Sequence, residues 1–159
     1  MTVNGKRKIR VLIADDENAI TRIYSIGLQH YFAPPDNPAV VAVEKEIFGD
    51  SEDKRPSVDI TVCQQGDEAV VLARNAVEAG NPFDVIVLDI RMPPGISGIE
   101  AARQIRAIDE TVAILFVSGH ADYTLEKLKD SMPTESALGL IEKPIQLAHL
   151  AAKIKKAAA

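Results

Sequence analysis

Three aspartates, a serine and a lysine stand where apolar runs end, far apart in the chain. Asp15 and Asp16 close residues 9–14, Asp89 closes 85–88, Ser118 follows 112–117 and Lys143 follows 138–141. If folding gathers those ends, the carboxylates need a cation, because like charges at roughly 4 Å repel by about 1 kcal/mol in water and about 4 kcal/mol at an effective dielectric of 20. Hard oxygens in an open crevice suit Mg2+, which takes one or two carboxylates and often meets phosphate oxygens. No His/Cys cluster suggests zinc. A carboxylate beside such an ion can attack a phosphoryl group and form an acyl phosphate. A serine hydroxyl and a lysine ammonium can hold the phosphoryl oxygens. Taken singly, each residue has a plainer use: an acid or serine opens a turn, and a lysine is solvated. The elements that carry them decide.

Residues 85–88 are a β-branched apolar run bounded by Asn81-Pro82 and Met92-Pro93-Pro94-Gly95. That is the pattern of a central parallel strand covered on both faces. Residues 9–14, 58–63, 112–117 and 138–141 read as further strands. Helices are expected over about 20–33, 67–79, 98–107, 122–130 and 146–156. Asp16 or Glu17 is placed to cap the first, and Asp67 the one after the second strand. Leu125 and Leu128 should face inward in the 122–130 helix, and Leu147, Leu150, Ala151 and Ile154 in the last. Five alternations of strand and helix predict an α/β fold: a doubly wound five-stranded parallel sheet of flavodoxin-like order 2-1-3-4-5. In that order the first and third strands are neighbours, so Asp15 and Asp16 face Asp89 across the switch-point crevice. Ser118 and Lys143 arrive from the next two strands. Residues 33–57 interrupt the alternation as an insertion. Asn37 caps and Pro38 opens a short extra helix whose Val40, Val43 and Ile47 share a face expected to lie against the first helix. Gly49 closes it, and a polar loop follows.

The chain has 159 residues and reads as one domain with one core. A net charge of −5 argues against a nucleic-acid surface, and no apolar run approaches membrane-spanning length. The single cysteine, Cys63, forms no disulfide within the chain and is expected in the core, which fits a cytoplasmic protein. Lys6-Arg7-Lys8 reads as a solvated N-terminal arm. His30 and His149 fall in expected helices and His120 in a loop, with no sign of a phosphohistidine site.

Asp15-Asp16 after strand one, Asp89-x-x-Met92-Pro93 after strand three, Ser118 after strand four and Lys143-Pro144 after strand five resemble the receiver domain of bacterial two-component response regulators. The resemblance covers nearly the whole chain apart from 33–57. It implies that Asp89 is the phosphoacceptor. Asp16, Asp89 and the backbone carbonyl of Arg91 would bind Mg2+, Asp15 would act largely through metal-bound water, and Ser118 and Lys143 would hold the phosphoryl group. It also implies a cis Lys143–Pro144 bond, a sensor histidine kinase or phosphotransfer protein as donor, and an output domain or downstream protein as target. A homodimer is compatible with it, and neither direct nucleic-acid nor membrane binding is expected. Three departures stand out. Met92-Pro93-Pro94-Gly95-Ile96-Ser97-Gly98 is one residue longer than the usual Met-Pro-x-x-x-Gly. Leu140 stands where a switch aromatic is common, and Gly119 where alanine is. The Phe48-Gly49 insert, Gln65-Gly66-Asp67-Glu68-Ala69 and the Met-Pro-Pro-Gly loop resemble N-terminal receivers of multidomain signalling proteins. Ala157-Ala158-Ala159 reads as a domain cut from such a chain. Two other readings compete with it. An aspartate-nucleophile phosphatase needs Asp-x-Asp after the first strand, and Asp15-Asp16-Glu17 does not supply it. A non-phosphorylated pseudo-receiver, acting only in protein interaction, would be expected to lose an acid or the lysine.

Overall fold

The computed structural model describes residues 2–3, 6–33, 37–49, 56–119, 123–132 and 137–159. The strands are β1 (Thr2–Val3), β2 (Lys6–Ala14), β3 (Ser57–Cys63), β4 (Val85–Asp89), β5 (Ala113–Ser118) and β6 (Leu138–Glu142). The helices are α1 (Asn18–Phe32), α2 (Pro38–Phe48), α3 (Gly66–Glu78), α4 (Gly98–Ile108), α5 (Leu125–Asp130) and α6 (Leu147–Ala157). Strands β3-β2-β4-β5-β6 pair in parallel in that spatial order, which is the expected 2-1-3-4-5 sheet. The first strand starts earlier than its apolar run. Lys6 and Arg7 pair antiparallel with Val3 and Thr2, so Lys6-Arg7-Lys8 belongs to a strand rather than to a loose arm.

Side chains alternate across the pleat and split the core in two. Leu12, Ile86, Leu88, Ile114 and Phe116 point to one face, where residues of α3, α4 and α5 cover them. Val11, Ile13, Val85, Val87, Leu115 and Val117 point to the other, under α1 and α6. Every residue of β4 is buried, as a central strand covered on both faces requires. From α6, Leu150, Ala151 and Ile154 are buried, while Leu147 packs on Gly27 of α1.

Two helices differ from expectation. Asn37 caps α2 by accepting from Ala39 N–H at 2.9 Å, Pro38 opens it, and Gly49 at φ 79° ends it, as the sequence implies. Yet Val40, Val43 and Ile47 are 43%, 52% and 66% exposed, and α2 buries none of its described side chains. An apolar stripe forecasts an amphipathic helix but does not name what covers it. Helix α5 begins at Leu125 after its cap Thr124, and Asp122 lies outside the described residues. Leu128 is 1% exposed, but Leu125, the first residue of the helix, is 36% exposed.

Candidate phosphoryl-transfer site

The carboxyl ends of β2 and β4 lie side by side, in register from Val11–Val85 to Ala14–Leu88. Asp15 follows directly on β2, its N–H donating to the Cys63 carbonyl at 3.2 Å, and Asp89 ends β4. The two side chains are arranged alike. Oδ1 of Asp15 accepts from Glu17 N–H at 2.9 Å, and Oδ1 of Asp89 from Arg91 N–H at 3.3 Å. Each is a local turn in which an aspartate caps the backbone two residues on. Oδ2 of both then turns to one cation: Lys143 Nζ is 2.9 Å from Asp89 and 3.3 Å from Asp15. Of the expected caps Asp16 and Glu17, Glu17 takes the cap position of α1, and no side chain bonds the helix start.

Carboxylate oxygens of Asp15, Asp16 and Asp89 lie within 4.8 Å of one another. Asp15 and Asp89 are 2% and 7% exposed, and Asp16 is the more open of the three. Burial pushes the Asp15 carboxyl above its ordinary range, although the Glu17 N–H and the Lys143 charge pull the other way. Burial alone would lower the Lys143 ammonium. The bond to Asp89 and the charges of both aspartates together outweigh it and hold the ammonium above its usual value. Hard oxygen donors from three carboxylates, two of them poorly hydrated, form a donor set that fits Mg2+. Cys63, buried on β3, has its thiol pushed up to about 12 by burial, as suits a neutral core residue.

Ser118 ends β5 at 3% exposure, one residue beyond the Asp89–Val117 register pair. Its carbonyl accepts from Lys143 N–H at 2.8 Å, which ties the ends of β5 and β6. The Lys143–Pro144 bond is cis, and so is Pro93–Pro94. Arg91 is exposed, joined to Asp89 through its amide. His30 and His149 are exposed, and His120 lies outside the described residues.

The long loop after Asp89 returns onto the strand it leaves. Met92 is buried, Gly98 N–H donates to Ile90 O at 2.8 Å, and Ser97 caps α4 through Glu100 N–H at 3.2 Å. The Gly98 Cα sits so close to the Asp89 carbonyl that a Cβ there would overlap it. Sequence reasoning missed Gln65. It occupies the cap position of α3, where Asp67 was expected, but its amide does not cap the helix. It crosses instead to the loop: Nε2 donates to Pro93 O at 3.3 Å, and Oε1 accepts from Gly95 N–H at 3.0 Å. A contact across some 30 residues leaves no local pattern.

Residues 35–155 match the family model described as the response regulator receiver domain. The chain belongs to that family. The matched range begins after Asp15 and Asp16, and the parallel register is what joins them to the rest of the receiver site. The receiver domain is 33% identical over 92 residues, 58% of its length, to the positive alginate biosynthesis regulatory protein of Pseudomonas aeruginosa. It is 29% identical over 79 residues, 50% of its length, to the sensor kinase CckA of Brucella abortus. It spans 33% and 8% of those two relatives. Among solved structures it resembles a response regulator receiver protein of Sinorhizobium medicae, with TM-score 0.65 at 22% identity, covering 95% of this chain and 94% of that one. A Thermotoga maritima response regulator in complex with Mg2+ and BeF aligns with TM-score 0.57 at 23% identity, covering 94% of this chain and 98% of that one. At such identities these likenesses speak to the fold.

Proposed function

We propose that the domain accepts a phosphoryl group on Asp89 in a phosphorelay, from a histidine kinase, a phosphotransfer protein or a small phosphodonor. The observation that carries this reading is the meeting of Asp15, Asp16 and Asp89 with Lys143 at the carboxyl ends of β2, β4 and β6. A carboxylate oxygen of Asp89 attacks phosphorus. The bond to the donor's imidazole nitrogen, or to the acetate oxygen of acetyl phosphate, breaks, and the leaving group keeps the electron pair. Lys143 balances charge on the phosphoryl oxygens, and Ser118 supplies a hydroxyl to them. Asp15, Asp16, Asp89 and the Arg91 carbonyl are the groups that would hold Mg2+, which when bound neutralises the incoming phosphoryl charge. Burial of Asp15 and Asp89 keeps bulk water from competing at the acceptor.

We further read residues 1–159 as one receiver domain carrying an insertion at 33–57, working in the cytoplasm on an output module or partner. Among the described residues, no helix is long and apolar enough to cross a membrane. The test is intact mass after incubation with acetyl phosphate, with and without Mg2+. One phosphate mass should be added only with Mg2+, and hydroxylamine should remove it. An adduct of equal yield on Asp89→Ala would overturn the assignment. Absence of any adduct on the parent, with kinase or acetyl phosphate, would favour a receiver that only binds partners.

A further inference from the structure

The loop after Asp89 is one residue longer than is usual for receiver domains, and it is pinned from outside its own strand. Gln65 is half-buried between β3 and α3, with both ends of its amide committed to the loop, at Pro93 O and Gly95 N–H. The fit is reciprocal. A Cβ on Gly95 would come 2.5 Å from Gln65 Oε1, so a side chain there would evict the amide. Next to Gln65, Gly66 lets α3 approach the same loop, since a Cβ on it would come 2.9 Å from Ile96 Cγ1 and 3.1 Å from Ile96 O. The loop is thus held by Met92 in the core, by Gln65 at residues 93 and 95, and by Gly98 at Ile90. Arg91 lies between the Asp89 end and the Gln65 brace. Its amide is bonded to Asp89 Oδ1 and its carbonyl leads into Met92.

We propose that Gln65 is a positioning residue for the phosphoacceptor loop, its amide fixing the stretch from Arg91 to Gly95 and thereby setting the domain's affinity for Mg2+. The inference rests on the phosphoacceptor reading above and adds to it a residue from a different strand end. A loop tied at Pro93 and Gly95 has few conformations to lose when the Arg91 carbonyl and the Asp89 carboxylate are engaged. An untied loop must be ordered by the ion itself, and binding weakens accordingly.

The test is Mg2+ titration by calorimetry on the parent, Gln65→Ala, Gln65→Glu and Gly95→Ala, with metal-free melting and acetyl-phosphate labelling in parallel. Gln65→Ala and Gly95→Ala should raise the Mg2+ dissociation constant about threefold to tenfold, the loss expected for one or two hydrogen bonds. Gln65→Glu keeps an acceptor for Gly95 N–H but loses the donor to Pro93 O, and should fall between parent and alanine variant. Labelling at saturating Mg2+ should recover to near the parent rate. If Gln65→Ala melts well below the parent, the comparison passes to Gln65→Glu. Mg2+ affinity equal to the parent's in Gln65→Ala and Gly95→Ala, whatever their melting points, would reduce Gln65 to a structural brace and overturn the proposal. In that case a parent that binds Mg2+ and is labelled leaves the phosphoacceptor reading standing. A parent that does neither removes both.

Discussion

Lys143 Nζ stands 2.9 Å from Asp89 Oδ2, so the ammonium and the proposed acceptor carboxylate are directly paired before any ligand arrives. The lysine is the cation that lets two buried carboxylates share one crevice, and it is itself three-quarters covered, with 26% of its side chain exposed. Lys143→Ala removes that compensation and leaves Asp15 and Asp89 facing each other. In EDTA at neutral pH it should cost about 1.5–3 kcal/mol, the range for hydrogen bonds to charged groups. The ammonium is held above its ordinary value, so its contribution is complete below that value and disappears only as pH rises through the folded one. The deficit should therefore not open or close because of the lysine anywhere near neutrality. Thermal melts of parent and variant check it, and equal midpoints would mean that the pairing contributes nothing.

Asp15 gives the opposite sign. Its carboxyl is raised by burial above the ordinary 3.8, so the folded chain holds the proton more tightly than the unfolded one. The charged form therefore costs stability. The cost is absent below the ordinary value, grows as pH climbs to the folded one and is constant above that. Asp15→Asn keeps an oxygen for the Glu17 N–H and removes the charge. In EDTA at neutral pH it should melt higher than the parent by about 2–4 °C, equivalent to about 1 kcal/mol of relieved repulsion. The gap should close as pH falls below the carboxylate range. With Mg2+ the order should reverse, because the parent gains more from binding. A lower midpoint for Asp15→Asn in EDTA would show that the lysine contact outweighs the repulsion.

Gly98 and Gly119 make a matched pair. A methyl on Gly98 would overlap the Asp89 carbonyl, which is backbone and cannot swing aside. Among the described residues, a methyl on Gly119 would meet only Lys143 Cδ, at 3.8 Å, an ordinary contact. Gly98→Ala should therefore destabilise by about 1–3 kcal/mol and displace the start of α4. Gly119→Ala, which restores the residue common in receiver domains, should stay within about 0.5 kcal/mol of the parent. Urea denaturation of the two variants reads the difference directly. Similar midpoints would mean that the Asp89 strand end yields more readily than its packing implies.

The parallel sheet and the meeting of Asp15, Asp16, Asp89 and Lys143 were legible because both follow from runs that end in polar residues. Apolar β-branched runs locate strands, and strand order then dictates which ends are neighbours. What escaped has a physical reason in each case. Lys6 and Arg7 carry no apolar alternation, and their strand partners are Val3 and Thr2, paired antiparallel. Asp67 is a strong capping type, but it falls two residues inside α3, and the cap position went to Gln65, a residue with a longer reach. Nothing in the sequence singles out Arg106, which is 2% exposed. Its guanidinium donates to the carbonyls of Glu110 and Val112 and closes the turn into β5. Chain carbonyls make no mark on a sequence, so a buried cation that binds them cannot be told from a solvated one.

The bond from Lys143 N–H to the Ser118 carbonyl has a mechanical consequence. It joins the strand ends of Ser118 and Lys143, as the bond from Ile90 N–H to Val117 O joins those of Asp89 and Ser118. Separating Ser118 from Lys143 would forfeit a backbone hydrogen bond worth about 0.5–1.5 kcal/mol. A pull on the lysine therefore travels into β5 as well as β6, and a pull on the serine moves the lysine with it. Leu140, half-buried on β6, offers no ring to swing with them.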